Sequence, residues 1–279
     1  MLKTRVLTAL LLFIAFVSSL LLIPQMGWAV LMSLVAGIAG WEWSGLMRLP
    51  ARYRIASGIA LVLFCLLWLI ISPETLGASE RNIFAAKNAL AVYIPATVFW
   101  LLLGPLWLHH KWRLPGNALG LAVGMMVIFP AWMAIVQLRM LGPWVFLAIV
   151  ATIWVADIGA YFFGRLFGRR KLAPTISPGK TWEGAIGGAA AVILYGLALR
   201  YIAGIEEPAV WVWIAGLAVI SVVSVVGDLF ESLLKRQVGL KDSSNALPGH
   251  GGVLDRIDSL TSTLPLVALL WVLSGVLPQ

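Results

Sequence analysis

Two carboxylates three residues apart, Asp255 and Asp258, stand in the stretch LPGHGGVLDRIDS, Leu247 to Ser259, just ahead of the last apolar run. On a helix, i and i+3 side chains face the same way. Close carboxylates repel, and a shared proton or a divalent cation relieves that repulsion. Hard oxygen donors of this kind suit Mg²⁺, which takes one or two carboxylates together with substrate phosphates. Gly251 and Gly252, immediately upstream, would let a loop approach closely before that helix starts. Capping at the membrane surface is the competing role for the pair. His250 is a candidate base or phosphate donor, against an ordinary loop hydrogen bond.

Other charged residues share this pattern. Asp228, Glu231 and Lys235 follow at helical spacing and put three charges on one face. Asp157 precedes IGAYFFGRLFGRR, where an ion pair with Arg165 competes with a chemical role. Glu42, between Trp41 and Trp43, reads equally well as an interfacial residue paired with Arg48 or Arg52. The segment SPGKT, Ser177 to Thr181, ends like a Walker A loop, but Pro174 stands where that pattern needs glycine. Ser177-Pro178 suits the start of a helix. Lys180, near its first turn, could then bind phosphate beside the free backbone N–H groups. Arg165, Arg169, Arg170 and Lys171 form a basic run just before it, which membrane anchoring alone explains.

These residues must be held by membrane helices. Of 279 residues 61% are hydrophobic and only 11% charged, against about a quarter charged in a soluble domain. Nine apolar runs are long enough to span: about 6–23, 27–47, 55–71, 88–108, 117–138, 144–163, 184–203, 209–230 and 260–277. No alternating barrel pattern occurs, so the fold class is an all-α polytopic membrane protein. A basic start and Gly27-Trp28-Ala29 would allow a cleaved signal, yet the first run is long for one and is read as a helix.

With a cytoplasmic N-terminus, sixteen of the 20 basic residues fall on the cytoplasmic side, which follows the positive-inside rule and puts the C-terminus opposite. The net charge of +8 is then mainly topology, with some attraction for anionic lipid heads, and nucleic acid is a poor explanation for it. Glu42, Asp157 and Asp228 all fall within a turn or two of that surface. Acids inside spans cost about 2.5 to 3.5 kcal/mol each on insertion scales and mark function by default. Residues 1–140 are read as about five N-terminal helices. Residues 141–279 are read as the catalytic region, with cytoplasmic loops at 164–183 and 231–259. Residues 72–87 form an external loop. The single Cys65 lies mid-helix and permits no internal disulfide. The 14 tryptophans are attributed to interfacial belts.

The stretch SLLKRQVGLKDSSNALPGHGGVLDRID, Ser232 to Asp258, resembles the signature of the phosphatidate cytidylyltransferases (CDP-diacylglycerol synthases), with no departure over its length. DIGAYFFGRLFGRRKL and SPGKTWEG resemble further segments of that family, so the likeness is strong over about 150–260. The resemblance implies that CTP and phosphatidic acid give CDP-diacylglycerol and pyrophosphate. It implies metal binding by Asp228, Asp255 and Asp258, with Asp157 and Glu231 as weaker candidates. Lys235, Arg236, Lys241 and Arg256 would hold CTP phosphates or the lipid head, and Ser177, Lys180 and Thr181 would complete the phosphate site. Asp228, Asp255, Asp258, Lys235 and His250 are the catalytic candidates, His250 as a positioner because the lipid phosphate is itself the nucleophile. The expected cation is Mg²⁺; spacing fixes neither the number of ions nor a role for a second, monovalent one. The resemblance also implies a homodimer in the bacterial cytoplasmic (inner) membrane, its active site facing the cytoplasm. A secondary transporter would place such acids near the midplane in repeated broken helices. Here they gather at one surface and no repeat is visible.

Overall fold

The computed structural model describes residues 2–77 and 87–275, with side chains from 7 to 77 and from 88 to 275. Nine long helices are found among the described residues: α1 Leu2–Leu22, α2 Gln25–Leu46, α3 Ala51–Ile71, α4 Leu90–His110, α5 Ala118–Leu138, α6 Pro143–Phe167, α7 Trp182–Ile202, α8 Val210–Gln237 and α9 Leu254–Ser274. Among the described residues, α2 to α9 are each long and apolar enough to cross a membrane, and α1 contributes the apolar stretch Leu7–Leu22. The chain is therefore an all-α polytopic membrane protein, and each expected run coincides with one helix. Residues 78–86 of the expected external loop, and the side chains of Lys3 and Arg5, lie outside the described residues.

Three helices carry irregularities that a bundle interior tolerates, α5 among them with the buried Pro130. In α4 a π-turn spans Phe99–Leu103 shortly after Pro95, and α9 contains Pro265. The main core draws on both halves of the chain, joining Trp28, Trp43 and Leu61 to Trp132, Phe230, Leu264 and Val272. The tryptophans depart from the expected belts here. Trp28, Trp100 and Trp132 are almost wholly buried, and Phe230 is ringed by Trp43, Trp100 and Trp107. Their broad faces fill gaps between helices, while Trp144, Trp182 and Trp211 remain exposed as a belt requires.

Among the described residues, one two-stranded sheet stands beside the helices. Strands β1 (Lys171–Ala173) and β2 (Ser177–Thr181) form an antiparallel hairpin between α6 and α7. The expected helix start at Ser177-Pro178 is thus corrected. The helix begins at Trp182, and Thr181 is its cap, its Oγ accepting from the Gly184 N–H at 3.1 Å. Thr181 already has an extended backbone, which continues the strand to the helix boundary.

Candidate active site

The hairpin is held from both ends. Glu183, in the first turn of α7, accepts the N–H groups of Arg169 and Arg170 at 3.0 and 3.2 Å. The Trp182 N–H donates to Arg170 O. At the tip, buried Ile176 packs with Leu229 and Leu233 of α8. This anchorage puts Lys180 beside α8, where its ammonium forms an ion pair with Asp228, both side chains about one quarter exposed at 26%. Asp157 of α6 lies within electrostatic reach of the same Asp228 and Lys180. Its expected pair with Arg165 is replaced: Arg165 donates to the Tyr161 hydroxyl.

Asp157, Ser177, Lys180, Thr181 and Asp228 line one cavity of about 520 Å³ between α6, α7, α8 and the hairpin, a size typical of ligand pockets. The space exists because the facing helices carry little there. Ala156, Ala160, Gly164, Gly184, Ala185, Gly188 and Ala189 form its walls, and small residues of this kind let membrane helices approach closely.

The helices α8 and α9 converge behind that cavity. A Cβ on Gly227 would strike Ser262 and the Asp258 carbonyl, so glycine permits the approach. The hydroxyls of Ser259 and Ser262 donate across it to Ser224 O and Val223 O at 3.4 and 2.9 Å. Asp258 is thereby brought within electrostatic reach of Asp228 and Asp157, and Glu231 within reach of Asp258 and Asp255. Five carboxylates, Asp157, Asp228, Glu231, Asp255 and Asp258, face two lysines, Lys180 and Lys235. Buried charges need compensation, and this group is short of cation. Glu231 Oε1 lies 3.2 Å from Lys235 Nζ, yet neither buried Glu231 oxygen receives a hydrogen bond of good geometry.

Asp255 behaves differently from its helical neighbour. Its carboxylate takes Lys235 Nζ at 2.5 Å, the Ser243 N–H at 2.8 Å, the Ser243 hydroxyl at 2.9 Å and the Gly252 N–H at 2.8 Å. These donors, the Ser243 hydroxyl proton being shared with Glu42, leave it less capacity for a metal ion than its neighbours. Asp228 takes Lys180 and the Ser232 hydroxyl, the Asp258 carboxylate accepts one hydrogen bond, from the Ser259 N–H at 2.7 Å, and that of Glu231 accepts none of good geometry. Among the described residues no three His, Cys, Asp or Glu side chains are gathered tightly enough to enclose a metal by themselves. A Mg²⁺ site needs only one or two carboxylates when substrate phosphates complete it. The orphaned oxygens of Glu231 and the surplus of negative charge fit such an ion; Asp255 does not.

Glu42 is the residue most misjudged from sequence. It is fully buried and does not pair with Arg48 or Arg52. Its Oε1 accepts from the Ser244 hydroxyl at 2.6 Å and the Val253 N–H at 2.9 Å. Its Oε2 accepts from the Leu254 N–H at 2.6 Å and the Ser243 hydroxyl at 3.1 Å. The start of α9 has no side-chain cap of its own, so a carboxylate from α2 satisfies its free N–H groups. The glycines make this possible. Gly251 adopts φ 78°, and a Cβ on Gly252 would overlap Ser243 Oγ and Glu42 Oε1.

The remaining expected residues sit further out. Arg236, Lys241, His250 and Arg256 are not among the residues lining the cavity, and neither are Glu231, Lys235, Asp255 and Asp258, which stand behind it. Arg236 donates to Ile176 O at 3.4 Å and Leu240 O at 3.1 Å, and Arg256 to His250 O at 3.0 Å. The His250 N–H closes a turn on Leu247 O, while its buried Nδ1 has no partner. The sequence signal missed here was the hydroxyl run of Ser259, Thr261, Ser262 and Thr263, which marks the face that α9 turns to its neighbours.

A pocket lined by two carboxylates and a lysine, with Glu231, Asp255 and Asp258 behind it, in a helical membrane protein defines a class suited to phosphate chemistry on a membrane-borne substrate. The comparisons are specific. The model of the cytidylyltransferase family matches residues 3–274. The phosphatidate cytidylyltransferase of Pseudomonas aeruginosa is 38% identical over 283 residues, covering 97% of each chain. That of Haemophilus influenzae is 36% identical over 285 residues, covering 95% of this chain and 96% of its own. That of Brucella suis is 50% identical over 119 residues, 43% of each chain. The chain belongs to the cytidylyltransferase family and is a nucleotidyltransferase.

Proposed function

We propose that the protein transfers the cytidylyl group of CTP to phosphatidic acid, giving CDP-diacylglycerol and pyrophosphate for phospholipid synthesis. A phosphate oxygen of the lipid attacks the α-phosphorus of CTP, the bond to the β-phosphate breaks, and pyrophosphate leaves. The observation that carries this reading is the convergence of three separate segments on one cavity: Asp157 from α6, Lys180 from the hairpin and Asp228 from α8. A polyanion entering there would draw Lys180 from Asp228 and free both, Lys180 for phosphate and Asp228 for cation. Lys180, with Ser177 and Thr181 beside it, is suited to phosphate oxygens. Lys235 steadies the carboxylates behind it. Arg236, Lys241 and Arg256, exposed on the flanking segments, form an outer basic ring for the incoming triphosphate or lipid head. His250 positions the loop.

Asp228 and Asp258, with Glu231 and Asp157 as lesser donors, would hold Mg²⁺. Once bound, the ion would screen the approach of two anions and stabilise charge on the leaving pyrophosphate. Any second, monovalent ion belongs to the same electronegative group. The chain is further read as a homodimer in the bacterial inner membrane, its site facing the cytoplasm, with no nucleic-acid partner. The positive-inside bias and the gathering of Glu42, Asp157, Asp228 and Asp255 support that orientation.

The test is CDP-diacylglycerol formation from labelled CTP and phosphatidic acid in detergent micelles, with and without Mg²⁺. Product that requires Mg²⁺ is expected. Absence of product with every phosphatidic acid tried would move the reading to another lipid acceptor.

A further inference from the structure

We propose that Glu42 is a positioning residue for the reaction, through which the N-terminal helices set the geometry of the catalytic loop. The inference rests on the cytidylyltransferase reading. Glu42 sits on α2, some 200 residues in sequence from the groups it holds. None of its hydrogen-bond partners lines the cavity, so it acts through others. Its two oxygens gather Ser243, Ser244, Val253 and Leu254. The Ser243 hydroxyl lies 3.1 Å from Glu42 and 2.9 Å from Asp255, and Asp255 in turn binds Lys235 at 2.5 Å. A continuous line therefore runs from α2 through Ser243 and Asp255 to Lys235 and Glu231.

The same carboxylate fixes where α9 begins. With its N–H groups anchored at Val253 and Leu254, the i+3 relation places Asp258 one turn further, against Asp228. Glu42 itself is well seated: neighbouring Trp43 donates to Gly120 O at 2.9 Å and stacks on Phe230 of α8. A rigid helix of the N-terminal half thus carries the acceptor around which the loop folds. Glutamine in its place would turn an amide N–H₂ towards donors and break one side of the knot.

The experiment measures turnover per folded enzyme in micelles for wild type, Glu42→Gln, Glu42→Asp, Ser243→Ala and the double variant Glu42→Gln/Ser243→Ala. Folding is checked by size-exclusion profile and thermal unfolding. Folded Glu42→Gln is expected to lose about tenfold to a hundredfold in kcat, the scale of a small misplacement of reacting groups, with Glu42→Asp recovering part of it. Because both single changes cut one line, the double variant is expected to be no slower than the slower single. Folded Glu42→Gln turning over like wild type would overturn the proposal, as would losses that multiply in the double variant. Should Glu42→Gln fail to fold, Ser243→Ala, which removes one hydroxyl, carries the test: reduced kcat in folded protein supports the line and unchanged kcat breaks it. A wild type that makes no CDP-diacylglycerol is a separate result, and it overturns the underlying reading together with the inference.

Discussion

The two acidic regions of the molecule are built to opposite specifications. Around Glu42 and Asp255 the carboxylates are well supplied: between them they meet six N–H or O–H donors and an ammonium, the single Ser243 hydroxyl proton being shared by the two. Around Asp157, Asp228, Glu231 and Asp258 the donors are scarce. Lys180 and the Ser232 hydroxyl serve Asp228, the Ser259 N–H serves Asp258, and Glu231 meets Lys235 at 3.2 Å without a hydrogen bond of good geometry. A satisfied buried carboxylate fixes structure; an unsatisfied one beside a cavity keeps its lone pairs for a substrate or an ion. The signature residues Asp255 and Asp258, equivalent by spacing, thus have different work.

This contrast can be broken experimentally. Asp228→Asn should lower turnover on the order of a thousandfold, the upper scale for losing one electrostatic contributor to the transition state, in the labelled-CTP assay. Retention of more than a tenth of wild-type turnover would remove Asp228 from the reacting centre. Lys180→Met should cost about a hundredfold by the same reasoning, and its loss should appear in kcat as well as in KM for CTP. On the well-supplied side, Gly252→Ala should reduce stability by about 2 kcal/mol or more, because the added methyl meets Ser243 and Glu42 where neither can yield. Thermal unfolding in micelles reads that loss, and an unshifted midpoint would mean the loop is looser than its contacts. The smallest effect belongs to the outer ring. Arg256→Gln should raise KM for CTP only about threefold, and added salt should erase the difference because exposed charges are screened.

The legible part of the fold was what hydropathy and charge bias encode. The eight candidate spans and the apolar helix α1 of the described residues follow from apolar length, and the gathering of Glu42, Asp228 and Asp255 at one end follows from the placement of arginine and lysine. Asp157 and Asp228 were readable as candidates because charge inside an apolar run is costly, and Lys180 because it stood near an expected helix start. Their meeting required a hairpin that local pattern did not reveal, since Ser-Pro favours a helix start until Ile176 finds its pocket on α8. The partners of Glu42 were hidden for a different reason. Nothing near it in sequence distinguishes a carboxylate facing arginines from one capping a helix two hundred residues away, and that choice is made by packing. Spacing likewise showed that Asp255 and Asp258 share a side of α9, but not that a lysine, a serine and a glycine N–H would take up the first.

The most direct measurement sets Asp228→Asn beside Asp255→Asn and records both turnover and thermal unfolding for each. Asp228→Asn should be inactive yet within about 1 kcal/mol of wild-type stability, since losing a partly exposed ion pair is offset by relief from neighbouring acids. Asp255→Asn should lose about 3 kcal/mol, the scale for breaking a buried pair and stranding its partner. The reverse pattern, a destabilised Asp228→Asn and a stable but dead Asp255→Asn, would contradict the division between a reacting cluster and a structural knot.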